Sequence, residues 1–288
     1  DRPQWYTVAG GARQYVDRIL ARLDDVRLGT PVRTVSRRTT GVDGKVRVLT
    51  DAGTETFDHV VLACHSNQSL RLLDDAEDDE RAVLAAVPYQ PNRAWLHTDT
   101  ALMPKRRSAW AAWNYLSNGD REAPEVSVTY WLNRLQPLPF ETPVLVSLNP
   151  LTPPAPDKVI ASFDYEHPVF DAGSTAAQRR LAALQGRANT WFAGAWTGYG
   201  FHEDGLKSGL SVAASILRRA RRCAGLPEAA TDAPAPARLA IRVRRSPSHP
   251  PAAGAARVSL PCLLRASAAR ATRPTGRLVA VRRQPRRA

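Results

Sequence analysis

A chain of 288 residues, 43% hydrophobic and 23% charged, is long enough to bury a core and too mixed to be fibrous or wholly disordered. Its formal charge of +13 invites a nucleic-acid reading, but thirteen arginines against Glu228 and Asp232 concentrate that charge in residues 227–288. The body is nearly neutral, so no specific nucleic-acid partner is expected. No apolar run approaches about 18 residues and no signal-peptide pattern is present, and Cys64, Cys223 and Cys262 form no CxxC pair, so a reducing, cytoplasmic setting without a metal knuckle or disulfide framework is expected.

In chain order, residues 5–11 read as a loop. Tyr15, Val16, Ile19, Leu20 and Leu23 then predict a helix from residue 12 to about 23, with Arg13, Asp17 and Arg22 outward. The period changes to two at Val32. Segments 32–37, 45–50 and 54–57 predict a β-meander, turned at Gly41-Val42-Asp43-Gly44 and at Asp51-Ala52-Gly53. The continuous apolar run His59-Val60-Val61-Leu62-Ala63 suits a buried parallel strand. Helices are expected at about 69–73 and 77–86, the second ended by Pro88. From Trp95 to Tyr165 the pattern is mainly strand, at 110–115, 126–131, 144–148 and 159–163, punctuated by prolines and glycines. Strands clustered inside an otherwise α/β chain predict a separate antiparallel layer. Thr175-Ala176-Ala177-Gln178 reads as a capping box opening a helix through Leu184. Beyond Leu226, proline, alanine and arginine dominate without periodicity, and residues 227–288 are expected to form a disordered tail.

The stretch that organises the chain begins at Trp191-Phe192-Ala193-Gly194. An apolar strand runs into a glycine-rich turn, and Leu206, Leu210, Ala213 and Leu217 then mark one face of a helix. A strand feeding a helix through glycines leaves N–H groups free at the helix start. The helix dipole there favours an acceptor-rich ligand by roughly 0.3–1 kcal/mol. Gly194 and Gly205 let the main chain approach such a ligand closely.

Phe192-Ala193-Gly194, followed by Phe201-His202-Glu203-Asp204-Gly205-Leu206-Lys207-Ser208-Gly209, resembles the C-terminal flavin motif of the amine oxidase superfamily. With Tyr165-Glu166-His167-Pro168 and Thr129-Tyr130-Trp131-Leu132-Asn133, it is most similar to the branch related to acyl-lipid-modifying enzymes, and the likeness runs from about Trp5 to Leu217. The resemblance implies FAD as cofactor. It also implies an α/β fold: part of an FAD-binding Rossmann-like domain, of the amine oxidase/glutathione-reductase type, with an inserted antiparallel-sheet substrate domain and the disordered tail. The expected division is 1–93 and 171–226 for the two parts of the FAD-binding domain, 94–170 for the substrate domain and 227–288 for the tail. Because the sequence opens on Asp1 and contains no G-x-G-x-x-G, it is expected to be a fragment lacking the first βαβ unit.

By the same resemblance, the Val32 backbone contacts the adenine edge and Ala63 lies near the cofactor. Gly194 lies against the diphosphate or ribityl chain beside Ala195, and the His202 N–H faces a flavin carbonyl. Glu203, Asp204 and Gly205 complete the expected cofactor set. Plain alternatives stay open: core packing for Val32 and Ala63, and helix-dipole complementarity for Glu203 and Asp204. None of the four lysines, Lys45, Lys105, Lys158 and Lys207, falls in segment 92–98, where the superfamily's catalytic lysine would align. Phe201 stands where relatives carry a cage tyrosine, a second departure from an amine substrate. His97 and His167, with His65 of similar standing, are the candidates for proton transfer. Trp110, Trp113, Tyr130 and Trp131 either line an apolar channel or fill a sheet core. The expected function is an FAD-dependent oxidoreductase that oxidises or desaturates an apolar, acyl-lipid-like substrate, a small molecule or a lipid. The alternatives are an inactive remnant, or a basic tail that binds nucleic acid or makes peripheral contact with an anionic membrane.

Overall fold

The computed structural model describes residues 6–37, 45–122, 125–224 and 277–281. Chain order runs α1 (Arg13–Leu20), β1 (Val32–Ser36), β2 (Val46–Thr50), β3 (Gly53–Phe57), β4 (His59–Ala63), α2 (Ser66–Leu72), α3 (Asp78–Leu84) and β5 (Tyr89–His97). There follow β6 (Trp113–Ser117), β7 (Val126–Trp131), α4 (Leu132–Leu135), β8 (Leu145–Leu148), β9 (Val159–Pro168) and α5 (Ala172–Leu184). The last elements are β10 (Thr190–Phe192), α6 (His202–Cys223) and β11 (Arg277–Val281). Two compact units divide them, one built on residues 27–90 and 166–224 with β11, the other on 6–26 and 91–165.

In the first unit, β1, β2 and β3 form the expected antiparallel meander, with Val35, Val46 and Val48 buried and Arg33 and Arg47 turned outward. The Gly41–Gly44 turn lies outside the described residues. β4 pairs in parallel with β10, Val60 opposite Thr190 and Leu62 opposite Phe192. Val60, Leu62, Phe192 and Trp196 are 2% exposed or less; Val83, Leu84, Leu181 and Leu184 from the helices join them in the core, with Leu73 from the extended segment after α2. Such a core supplies the unit's main stabilisation, at roughly 25 cal/mol per Å² of apolar surface removed from water. Gln185 closes the outer edge of β10 by bonding both the N–H and the C=O of Phe192, at 2.9 and 2.7 Å.

In the second unit, the strand order is β6-β7-β8-β5-β9, and the pairs β6–β7, β7–β8 and β8–β5 are antiparallel. Register assigns side chains to faces, because residues directly opposite one another point the same way. One face carries Asn114, Leu116, Trp95 and Trp131 with Leu145, Ser127, Thr129, Ser147 and His97, and the last five are buried. The other carries Trp113, Tyr115, Val126, Val128, Tyr130, Val146 and Leu148, half-buried or exposed. The buried face is thus rich in polar side chains for an antiparallel sheet, while the other face is mostly apolar and more open.

Four expectations need correction. α1 is shorter than predicted and buries none of its residues; Tyr15, Ile19 and Leu23 are 40%, 55% and 54% exposed, because no described element covers its apolar side. α5 starts a turn early, since Asp171 accepts from the Ser174 N–H at 2.7 Å and pre-empts the cap predicted at Thr175. The stripe Leu206, Leu210 and Leu217 of α6 is 57–63% exposed; the helix lies instead on the side of Gly205, Ser208 and Val212. Within the expected tail, Arg277–Val281 forms a strand antiparallel to β4. Its run Leu278-Val279-Ala280-Val281 has strand propensity and meets a free edge, and the rest of the tail from residue 227 lies outside the described residues.

Candidate flavin site

Both strands of the parallel pair end at the same side of the sheet, and both continue through a turn into a helix. This is the usual place for a ligand in an open α/β sheet. After β10, Gly194 takes φ 146°, where a side chain is strained. A Cβ there would lie 2.8 Å from the Trp196 ring, so the glycine is required by the chain itself before any ligand arrives. Its N–H donates to Ser208 Oγ at 2.9 Å, tying the turn to α6. The Trp196 Nε1–H donates to the Cys64 carbonyl at 3.1 Å, tying it to the end of β4. Gln178 Nε2 reaches the carbonyls of Trp196 and Gly198 at 2.8 and 2.7 Å. The loop is braced on three sides.

The Asp204 carboxylate accepts from the N–H groups of Tyr199 and Phe201, at 3.1 and 3.0 Å, and so shapes the turn. Glu203 is exposed and meets Lys207 one turn on, at 3.6 Å. His202 opens α6. The N–H groups of Ala195, His202 and Glu203 have no hydrogen-bond partner among the described residues. Gly205 leaves the space beside the Ala195 N–H clear of a side chain; a Cβ would stand 3.7 Å from that nitrogen. Unpartnered backbone donors around a glycine suit the carbonyl and phosphoryl oxygens of a flavin nucleotide, so the residues present fit the group. Ala63 is exposed at the end of β4, whereas Val32 is half-buried against the core.

His65 follows β4 at this same strand end. Its ring stacks on Tyr89, centroids 4.4 Å apart, and Nδ1 is buried without a hydrogen bond, 3.9 Å from Glu166 Oε2. The Tyr89 hydroxyl accepts from the Ser66 N–H at 2.8 Å and donates to Ser66 Oγ at 3.2 Å, fixing the ring beneath. Burial lowers the pKa of His65 against the opposing pull of Glu166, and burial likewise raises that of Tyr89. The motif Tyr165-Glu166-His167-Pro168 was legible in the sequence; its pairing with His65 needs the fold.

The other histidines lie elsewhere. His97 is fully buried in the sheet unit, with Nδ1 accepting from the Asp99 N–H at 3.0 Å and Nε2–H facing Ser147 Oγ at 2.9 Å. Ser147 Oγ in turn meets Thr129 Oγ1 at 2.7 Å, so both ring nitrogens are engaged in structure, and burial lowers the pKa of the ring. His167 is exposed near the end of β9, in a strand where a loop was expected. The four aromatic residues part company as well. Trp113 and Tyr130 pack edge to face on the open side of the sheet. Trp110 and Trp131 hold the Arg107 guanidinium, 3.7 and 4.6 Å above their rings.

A parallel strand pair ending in a glycine turn and helix, in a chain that also carries an antiparallel sheet unit, makes this a mixed α/β fold with a strand–turn–helix suited to a nucleotide. The family profile described as flavin containing amine oxidoreductase matches residues 1–217, and the chain belongs to that family. By its description the family is one of flavin-containing enzymes. Among solved structures, cyclohexylamine oxidase from Brevibacterium oxydans IH-35A is similar at 16% identity and TM-score 0.51, covering 74% of this chain and 53% of that one. A protein assigned as a protoporphyrinogen oxidase from Exiguobacterium sp. 255-15 gives 17% and 0.51, covering 73% and 51%. At these identities the likeness is one of fold, and the chain spans about half the length of the structures it matches. No curated protein matches it. Among the described residues, no helix is long and apolar enough to cross a membrane.

Proposed function

We propose that the chain serves an FAD-dependent oxidation or desaturation of an apolar, acyl-lipid-like substrate. The observation that carries the reading is the open face of the five-stranded sheet. There Trp113, Tyr115, Val126, Val128, Tyr130, Val146 and Leu148 share one side without a charged residue among them. A contiguous apolar face left open on a sheet marks a binding surface. Segment 92–98 carries no lysine, and Phe201 is 68% exposed where an amine-guiding tyrosine would stand, which speaks against a cationic substrate.

When bound, FAD accepts the two electrons of the dehydrogenation. The chain's own residues do the rest. The N–H groups of Ala195, His202 and Glu203 bind and orient the nucleotide. The braced turn around Gly194 and Trp196 holds those donors in place without reorganisation. His65 takes the substrate proton at Nε2, the ring nitrogen that is not buried; its lowered pKa keeps it neutral near pH 7, and Glu166 favours the cation that forms. The free thiols Cys64 and Cys223 support a cytoplasmic setting.

The test is visible flavin absorbance on the purified full chain, followed by anaerobic mixing with a long-chain acyl lipid and, separately, with benzylamine. The acyl lipid is expected to bleach the flavin and the amine to leave it oxidised. Rapid reduction by benzylamine would overturn the substrate class, and a colourless chain that takes up no added FAD would overturn the flavin assignment.

A further inference from the structure

At the opposite end of α6 from the flavin turn, an open cleft of about 380 Å³ lies against Trp191, Gly186 and Ser215, rimmed by Arg218, Arg219 and Arg222. Arg27, Arg33, Arg37, Arg180 and Arg187 each meet a carboxylate. The two cleft arginines with assigned contacts meet neutral oxygens: Arg219 Nη1 donates to the Gly186 carbonyl at 2.9 Å, and Arg218 Nη2 to Ser215 Oγ at 2.9 Å. Among the described residues, no acidic side chain lines the cleft. Gly186 makes the floor possible, since at φ 80° a Cβ would stand 2.8 Å from the Trp191 ring. Among the described residues, these two guanidiniums at a concave rim meet no carboxylate.

We propose that this cleft binds a phosphate-bearing anion. A guanidinium presents planar N–H pairs that match phosphoryl oxygens, and successive arginines on one helix turn grip two such groups better than one. The Ser215 hydroxyl donates to the Ser211 carbonyl at 2.9 Å and accepts from Arg218, so it steadies that guanidinium. Two sources share this chemistry, a free diphosphate-like metabolite and the headgroup of an anionic lipid. The site is independent of the flavin, so it stands or falls apart from the oxidoreductase reading.

The experiment is a titration of the full, isotopically labelled chain with inorganic pyrophosphate, read by amide and arginine side-chain NMR. In parallel, the chain is sedimented with phosphatidylcholine vesicles with and without phosphatidylglycerol. Binding is expected to be saturable, to shift the Gly186 and Ser215 amides, and to weaken at least tenfold in Arg218→Gln/Arg219→Gln, whose circular dichroism should be unchanged. Should that pair of substitutions disturb the fold, Ser215→Ala with Arg218→Lys provides a milder test with the same readout. Vesicle binding that depends on phosphatidylglycerol and on Arg218 and Arg219, without a pyrophosphate response, identifies the headgroup as the source. Shifts confined to the arginines beyond residue 226, or binding of both probes unchanged in the double variant, overturns the site.

Discussion

Gly194 and Gly205 belong to one strand–turn–helix, yet a methyl group would meet different surroundings at each. At Gly194 it would press on the Trp196 ring in a backbone conformation that side chains rarely adopt. The substitution Gly194→Ala is therefore expected to cost about 1–3 kcal/mol. At Gly205 the nearest atom is at ordinary contact distance inside a helix, and alanine is expected to gain about 0.5–1 kcal/mol. Urea unfolding of the two variants checks the pair, and equal midpoints would contradict the geometry. His65 supplies the second prediction at this scale. Its folded pKa lies below its unfolded value, so the unfolded chain binds the proton more readily. The contribution of His65 to stability is therefore present above the unfolded pKa and lost as pH falls from there towards the folded value. NMR titration should place the ring below the ordinary histidine range, and Glu166→Gln should move it lower still, since the opposing carboxylate is removed. A ring that ignores Glu166→Gln would remove the pairing on which proton transfer rests. The sequence marked Gly194 for close approach to a ligand; the contact with Trp196, which independently requires a glycine there, depends on a three-dimensional turn.

At the scale of elements, the meander, β4, β7 and α6 were legible, because alternation, continuous apolar runs and a helical period each name a structure. Which face meets the body was not legible. The α6 stripe of Leu206, Leu210 and Leu217 lies outward, and the sheet unit buries serine, threonine and histidine beside Leu145 while leaving Trp113 and Tyr115 exposed. Periodicity shows that a face is apolar but not what it is apolar towards, and a ligand surface looks the same as a core. Long-range ion pairs are equally silent in sequence. Arg37 donates to Asp75 Oδ1 and Glu80 Oε2, both at 2.7 Å, and Arg37 and Glu80 are 3% and 1% exposed. Burial alone would raise the Glu80 carboxyl; Arg37 and the Glu77 N–H outweigh it and hold it below its usual range. Arg37→Met should then strand two carboxylates and cost about 3–5 kcal/mol, whereas Arg37→Met/Glu80→Met should cost less than that single change. In the native chain the stabilisation is present above the unfolded carboxyl pKa and lost as pH falls through the folded one. Thermal midpoints across an acid pH series check both statements, and a midpoint indifferent to Arg37→Met would refute them.

For the whole molecule, β11 joins the last residues to the middle of the first unit. β4 has β10 on one side, closed beyond by Gln185, and among the described residues only Arg277–Val281 satisfies the backbone on its other side. An unpaired edge strand carries donors and acceptors that seek another partner. A purely disordered tail would predict no effect of its removal. The pairing predicts that deleting residues 277–288 speeds amide hydrogen exchange within β4 and lowers the thermal midpoint, while exchange in β2, at the centre of the meander, is unchanged. The substitution Val279→Pro should reproduce the effect in the full-length chain, since proline removes a ladder donor without changing length or charge. Exchange followed residue by residue in the wild type and both variants decides the matter. If β4 exchanges alike in all three, the segment does not hold that edge, and the reading of the tail as structureless stands for these residues as well.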